Sequence, residues 1–227
     1  MPNRYASWIE STWALNFEVM DLRTDRVYWE SLHGLLDEAS DLEAREGVTS
    51  WVESFYHRSQ IMRIRRLVDR RRKVVSLMRL LTSMRQHSPE LTLERHLQER
   101  FTRKHPSDEV LRDIEEWFRA SWGEGGTVAT PRMVSVLIDY LEQATSKTKL
   151  YADEVIAHNS ESRTQPPRPS IDEVNAAVDA IYRVTYNTVF LLRGVDSRAE
   201  LHTGEPFRDE MLVWMNPKDL PGDDEHS

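Results

Sequence analysis

Apolar residues recur along most of this chain at spacings of three and four, the period of a helix with one buried face. The clearest case begins at Thr130 and Pro131, a cap followed by proline at the first helical position. Met133, Val136, Leu137, Tyr140, Leu141 and Ala144 then keep the period, which predicts a helix over 131–157. Ser170 and Glu173 make a capping-box pair, and Val174, Ala177, Val178, Ile181, Val184, Thr185, Val189 and Leu192 carry a last long helix to Gly194. The β-branched and aromatic stretch "YRVTYNTVFLL" inside it leans towards strand, but length and capping outvote that preference.

Upstream, Ser50 and Glu53 form a second capping pair opening a helix over 51–69, and Val74, Leu77, Met78 and Leu81 give another over 74–84. Ser107, Asp108 and Glu109 after Pro106 start a helix that ends in the glycine-rich "WGEGG" at 122–126. Trp29, Leu32, Leu35, Leu36, Ala39 and Leu42 fit a helix over 25–45. Two pieces resist: "ALNFEVMDL" at 14–22 and "EMLVWMN" at 210–216 read as short strands or extended arms. The stretch "NSESRTQPPRPS" at 159–170 is a loop, because its three prolines remove backbone donors. The expected fold is all-α, a bundle of long antiparallel helices in a single domain over 1–216, with a mobile acidic tail at 217–227.

Composition narrows the chemistry. The 227 residues allow one substantial core, and 39% hydrophobic with 30% charged residues describes a globular chain. No apolar run approaches the roughly 20 residues of a membrane span, and the N-terminus lacks a signal-peptide core, so no membrane association and a cytoplasmic location are expected. The absence of cysteine removes disulfides, thiolate nucleophiles and cysteine-ligated zinc together. No phosphate loop, dinucleotide fingerprint, zinc spacing or nucleophile elbow is present, so neither a cofactor nor a metal is expected.

A net charge of −8 argues against a protein that coats nucleic acid, but it hides an asymmetry. Residues 63–73, "RIRRLVDRRRK", hold seven bases and one acid. On a helix Arg63, Arg66 and Arg70 share one face, which is either a solvated surface with local ion pairs or a phosphate-binding face. His158 is the second candidate. Lys147, Tyr151, Glu154 and His158 fall on roughly one helical face, where a tyrosine or carboxylate would set the histidine's tautomer. Spacing alone favours a helix-end residue that complements the dipole, or a partly buried packing residue, over a catalyst.

Three blocks then combine: "MRIRRLVDRRRKVVSLMRLL" at 62–81, "YADEVIAHNS" at 151–160, and the capped "SIDEVNAAVDAIYRVTYNTVFLLRG" at 170–194. In this order they resemble the abortive-infection AbiU-like branch of the HEPN superfamily, over residues 50–194. The resemblance implies a helical bundle that homodimerises and, in many members, cleaves RNA without metal in defence or toxin–antitoxin systems. There a histidine moves the proton of the ribose 2′-hydroxyl, worth about 10²–10⁴-fold in rate, and an arginine separated from it by four to six intervening residues neutralises the phosphate.

This chain departs from the pattern at that arginine. The positions in question hold Asp153, Ala152 and Tyr151, and Lys149 lies outside the window. The pairs Arg26 with His33 and Arg100 with His105 match the spacing no more often than chance, so no role passes to them. The resemblance therefore implies either a non-catalytic module that binds RNA, a nucleotide or an operon-encoded protein partner, or a ribonuclease with a rearranged site. In the second case His158 is the acid/base, Arg66 the phosphate clamp, and Asp69 or Tyr151 orients them; Arg63, Arg66, Arg70 and Lys149 would hold phosphate. A helical scaffold unrelated to nucleic acid is a third reading. Trp8, Trp13, Trp29 and Trp51 are expected at the surface as part of a dimer interface.

Overall fold

A computed structural model describes residues 4–38, 42–71, 74–101, 106–157 and 166–194, with side chains 31, 32, 34–46, 48 and 157 left aside. All of these lie in the first of two units, Met1–Val195 and Asp196–Ser227. The described residues form α1 (Arg4–Glu38), α2 (Leu42–Leu67), α3 (Leu77–Gln86), α4 (Leu93–Arg100), α5 (Asp108–Ser121), α6 (Pro131–Tyr151) and α7 (Ile171–Arg193). A 3₁₀ turn at Ser88–Glu90 precedes α4, and a π-helix at Ala152–Ala157 continues α6. The fold is an all-α bundle, and the described residues contain no strand beyond one isolated bridge between Thr92 and Val128. The segments 210–216 and 217–227 lie outside the described residues, as does His158.

Helix α7 is the axis of the bundle. It packs on α1, α6, α2 and α4, so nearly its whole circumference is buried, from Val174 through Ile181 and Val189 to Leu192. A helix that is apolar all round belongs inside, where β-branched residues lose little because neighbours hold their rotamers anyway. That is why "YRVTYNTVFLL" is helical despite its strand-like composition. The buried Thr188 satisfies its hydroxyl within the helix by donating to the Val184 carbonyl at 2.7 Å. Ser170 and Glu173 close the capping box, with each side chain accepting from the other's backbone N–H at 3.1 and 2.9 Å.

Helix α1 corrects the expectation of a strand or arm at 14–22. Tyr5, Trp8, Thr12, Leu15, Val19 and Leu22 are buried along one seam at alternating spacings of three and four, with Trp29 one heptad further on, the period that keeps a helix face against its neighbour. Leu15, Phe17 and Val19 also alternate as a strand would, which is the source of the ambiguity. The helical phase wins by burying Leu15, Val19 and Leu22 together and leaving Phe17 65% exposed. Helix α2 likewise begins nine residues before the expected start, so Ser50 is an interior helical residue and not a cap. It also ends at Leu67, before Asp69 and Arg70. The cap of α3 is Ser76, whose hydroxyl accepts from the Arg79 N–H at 3.2 Å. Helix α4, capped by Thr92, was not expected from the pattern.

The last helix stops where geometry demands glycine. Gly194 has φ +61, and a β-carbon there would lie 2.4 Å from Cβ of Arg100. A Gly194→Ala variant is expected to unfold at lower urea concentration by the equivalent of about 1–3 kcal/mol, from left-handed strain and crowding. An unchanged midpoint would show that α7 can end in another conformation.

Candidate functional site

Among its described residues, the basic stretch is a row of ion pairs. From α2, Arg63 pairs with Asp25 and lies 3.7 Å from Asp21, and it also donates to the Glu18 carbonyl at 3.2 Å. Arg66 reaches the Glu18 carboxylate of α1 at 2.6 Å. Beyond the helix, Arg70 pairs with Glu142 of α6. Asp69 accepts from the Nε and backbone N–H of Arg71 at 2.7 and 2.8 Å, and these bonds hold its carboxyl below the usual carboxylate range. The expected common face of Arg63, Arg66 and Arg70 does not form, because α2 ends at Leu67 and puts Arg70 in the connection to α3. Opposite charges drawn from α1 and α6 were invisible in the local sequence, since Glu18 and Glu142 are far from 63–71 along the chain.

Towards His158, the sixth to first residues before it form the π-helix Ala152–Ala157. Such i→i+5 turns are rare and concentrate at functional sites. Helix α2 packs against this turn, and the arginine it supplies is Arg65, whose Nε donates to Asp153. Arg65 is thus an arginine that the fold brings into hydrogen-bond contact with the segment preceding His158. Arg66, one position along the helix and about 100° around it, points to α1 instead. Sequence reasoning passed over Arg65 because its pairing depends on how α2 crosses α6. Asp153 thus holds a cation supplied from a distant helix. Tyr151 ends α6 half-buried and Lys149 is exposed, while Asp69 is engaged by Arg71 and Arg66 by Glu18.

Among the described residues His57 and His96 are fully buried, and sequence reasoning singled out neither. His57 of α2 is held at both ring nitrogens: Nε2–H donates to the Pro169 carbonyl at 2.6 Å, and Nδ1 accepts from Arg168 Nε–H at 3.0 Å. This fixes the neutral Nε2–H tautomer, and burial pushes the imidazole below its usual range, with Arg168 acting in the same direction. The contact fastens the chain just ahead of the α7 cap onto α2. His96 of α4 donates from Nδ1 to the Leu191 carbonyl at 2.8 Å. Rings of Trp117, Phe118 and Phe190 surround it at centroid separations of 5.5–6.0 Å, and burial lowers its proton affinity too. Both are packing histidines with satisfied donors. The alternation of helix faces placed them inwards, and only the tertiary fold supplied their partners.

The tryptophans divide. Trp8 and Trp29 are core residues, contrary to their expected exposure: Trp8 donates to Ser83 Oγ at 3.0 Å and Trp29 stacks on Tyr56 with centroids 5.2 Å apart. Trp13 and Trp51 are exposed, and Trp51 stacks on the equally exposed Phe55. Among the described residues no group of three or more histidine, aspartate or glutamate side chains is arranged to hold a metal ion, and no helix is long and apolar enough to cross a membrane. Comparison with protein-family models, with characterised proteins and with solved structures finds no match for this chain.

Proposed function

We propose that this chain is a HEPN-like helical module without a working nuclease site, acting in the cytoplasm as a homodimeric partner or regulatory subunit of a defence or toxin–antitoxin-type system. The observation that carries this reading is the ion pairing of the described arginines of the cationic stretch. Arg63, Arg65, Arg66, Arg70 and Arg71 each hold a carboxylate. A phosphate arriving there would have to displace an acid and then remain beside it, so RNA or nucleotide binding is weak and secondary to protein contacts. The resemblance over 50–194 supplies the class of system; the ion pairs argue for its non-catalytic branch.

One specific observation favours a second reading, a metal-independent ribonuclease. The Arg65 guanidinium lies beside the turn that leads into His158, where it would clamp a phosphate while His158 takes the proton of the ribose 2′-hydroxyl, whose oxygen attacks phosphorus as the 5′-oxygen leaves. Incubation with total RNA in chelator separates the two. The native protein and His158→Ala are both expected to leave the RNA intact. Cleavage by the native protein that is lost in both His158→Ala and Arg65→Ala would install the ribonuclease in place of the binding module.

A further inference from the structure

The buried seam of α1 is matched by a second stripe on the opposite side of the same helix. Trp13, Phe17, Met20, Thr24 and Val27 follow spacings of four, three, four and three. Trp13, Phe17 and Val27 are exposed, at 39, 65 and 55%, and Met20 and Thr24 are partly so. Solvated helix faces do not ordinarily keep an apolar heptad over four turns; a stripe with this period fits another helix carrying the same period. The Arg193 guanidinium covers one face of the Trp13 ring at 3.5 Å from its centroid, leaving the other turned outwards.

From this stripe we infer that a second copy of this chain docks on α1, through an antiparallel α1–α1 pairing whose two-fold axis passes near Met20. The order of side-chain sizes carries the choice. Bulky Trp13 and Phe17 occupy the N-terminal half of the stripe, and small Thr24 and Val27 the C-terminal half. An antiparallel partner centred near Met20 sets large against small along the whole contact, as knobs into holes require. A parallel partner stacks Trp13 on Trp13 and Phe17 on Phe17 and leaves gaps at Thr24 and Val27. A stripe of about 21 Å buries less than the roughly 800 Å² per subunit of a standard interface, so the dimer is weak and concentration-dependent. The inference rests on the homodimer part of the proposed function and assigns it a surface away from the basic stretch.

Sedimentation equilibrium from low to several hundred micromolar protein provides the test, together with cysteine cross-linking, which is clean here because the chain has no cysteine. The native chain is expected to dimerise, Phe17→Glu to weaken the dimer at least about tenfold, and Trp51→Glu on α2 to leave it unchanged. A short bismaleimide should join Met20→Cys to its own copy and fail to join Val27→Cys, whose two copies lie about 20 Å apart along the axis. A monomer at every concentration overturns both the inference and the homodimer reading. A dimer indifferent to Phe17→Glu, one broken by Trp51→Glu, or cross-linking at both cysteines overturns the inference alone. Phe17 is exposed, so retained cooperative unfolding of Phe17→Glu confirms that its effect is on association.

Discussion

Ile181→Ala is expected to lower the free energy of unfolding by about 2–5 kcal/mol, read as a shift of the urea midpoint with an unchanged slope. Ile181 is fully buried at the middle of α7, the helix on which α1, α2, α4 and α6 converge. Truncation removes buried methyl and methylene groups and leaves a void that helices held on all sides cannot close. Truncation of an exposed side chain costs little: Trp51→Ala, 70% exposed on α2, should fall within about 0.5 kcal/mol of the native protein. A small effect at Ile181 would mean that the bundle can collapse around α7, and that α7 is not its axis.

The second large effect is a dependence of stability on pH. His57 and His96 are buried neutral, each bound less strongly by a proton when folded than when unfolded. As pH falls below about 6.5, the usual imidazole value, the unfolded chain takes up protons that the folded chain refuses. Stability therefore rises with pH through this window and is lost on acidification, until the folded-state titrations are passed. Each histidine contributes at most about 1.4 kcal/mol per pH unit, so the two together give a slope of up to about 2.7.

Protonating His57 also turns Nδ1 from an acceptor into a donor facing the Arg168 guanidinium, and the segment ahead of the α7 cap is the first place where packing should loosen. Urea midpoints at pH 7.5 and 5.5 measure the effect, and His57→Gln and His96→Gln should each remove about half of it. A flat profile in the native protein would mean that both imidazoles reach water before the fold opens. The low-lying carboxyls of Asp69 and Glu173 act in a separate, more acidic window. Their ion pairs with Arg71 and Lys147 hold them deprotonated, and that stability goes only as pH falls below the normal carboxylate range.

What could be read locally was read from period and punctuation. Helices α5, α6 and α7 were placed to within a few residues because Ser107, Thr130 with Pro131, Ser170 with Glu173, and Gly194 are contacts between neighbours in the chain. Where the signal was weaker, the errors have a common cause. At 14–22 two periods fit the same residues, and only the presence of α7 alongside chose the helical one. At Ser50 a genuine capping pattern lies inside a helix that continues upstream. The candidate site was legible only in part. The basic stretch and the block before His158 were visible, but the π-turn was not, and apart from Arg71, which pairs with the nearby Asp69, the described arginines take partners from distant elements: Glu18 and Asp25 from α1, Glu142 from α6, Asp153 from the π-helix.

The sequence by itself thus determined the helical class, most helix ends, and the inventory of charges, since these depend on residues within a turn or two of one another. Tertiary structure alone decided that Arg65 and not Arg66 meets Asp153, that His57 and His96 are sealed and neutral, and that α1 keeps an apolar stripe facing out. Those outcomes depend on how helices cross. A crossing places side chains from remote segments within a few ångströms, where charge and burial act most strongly.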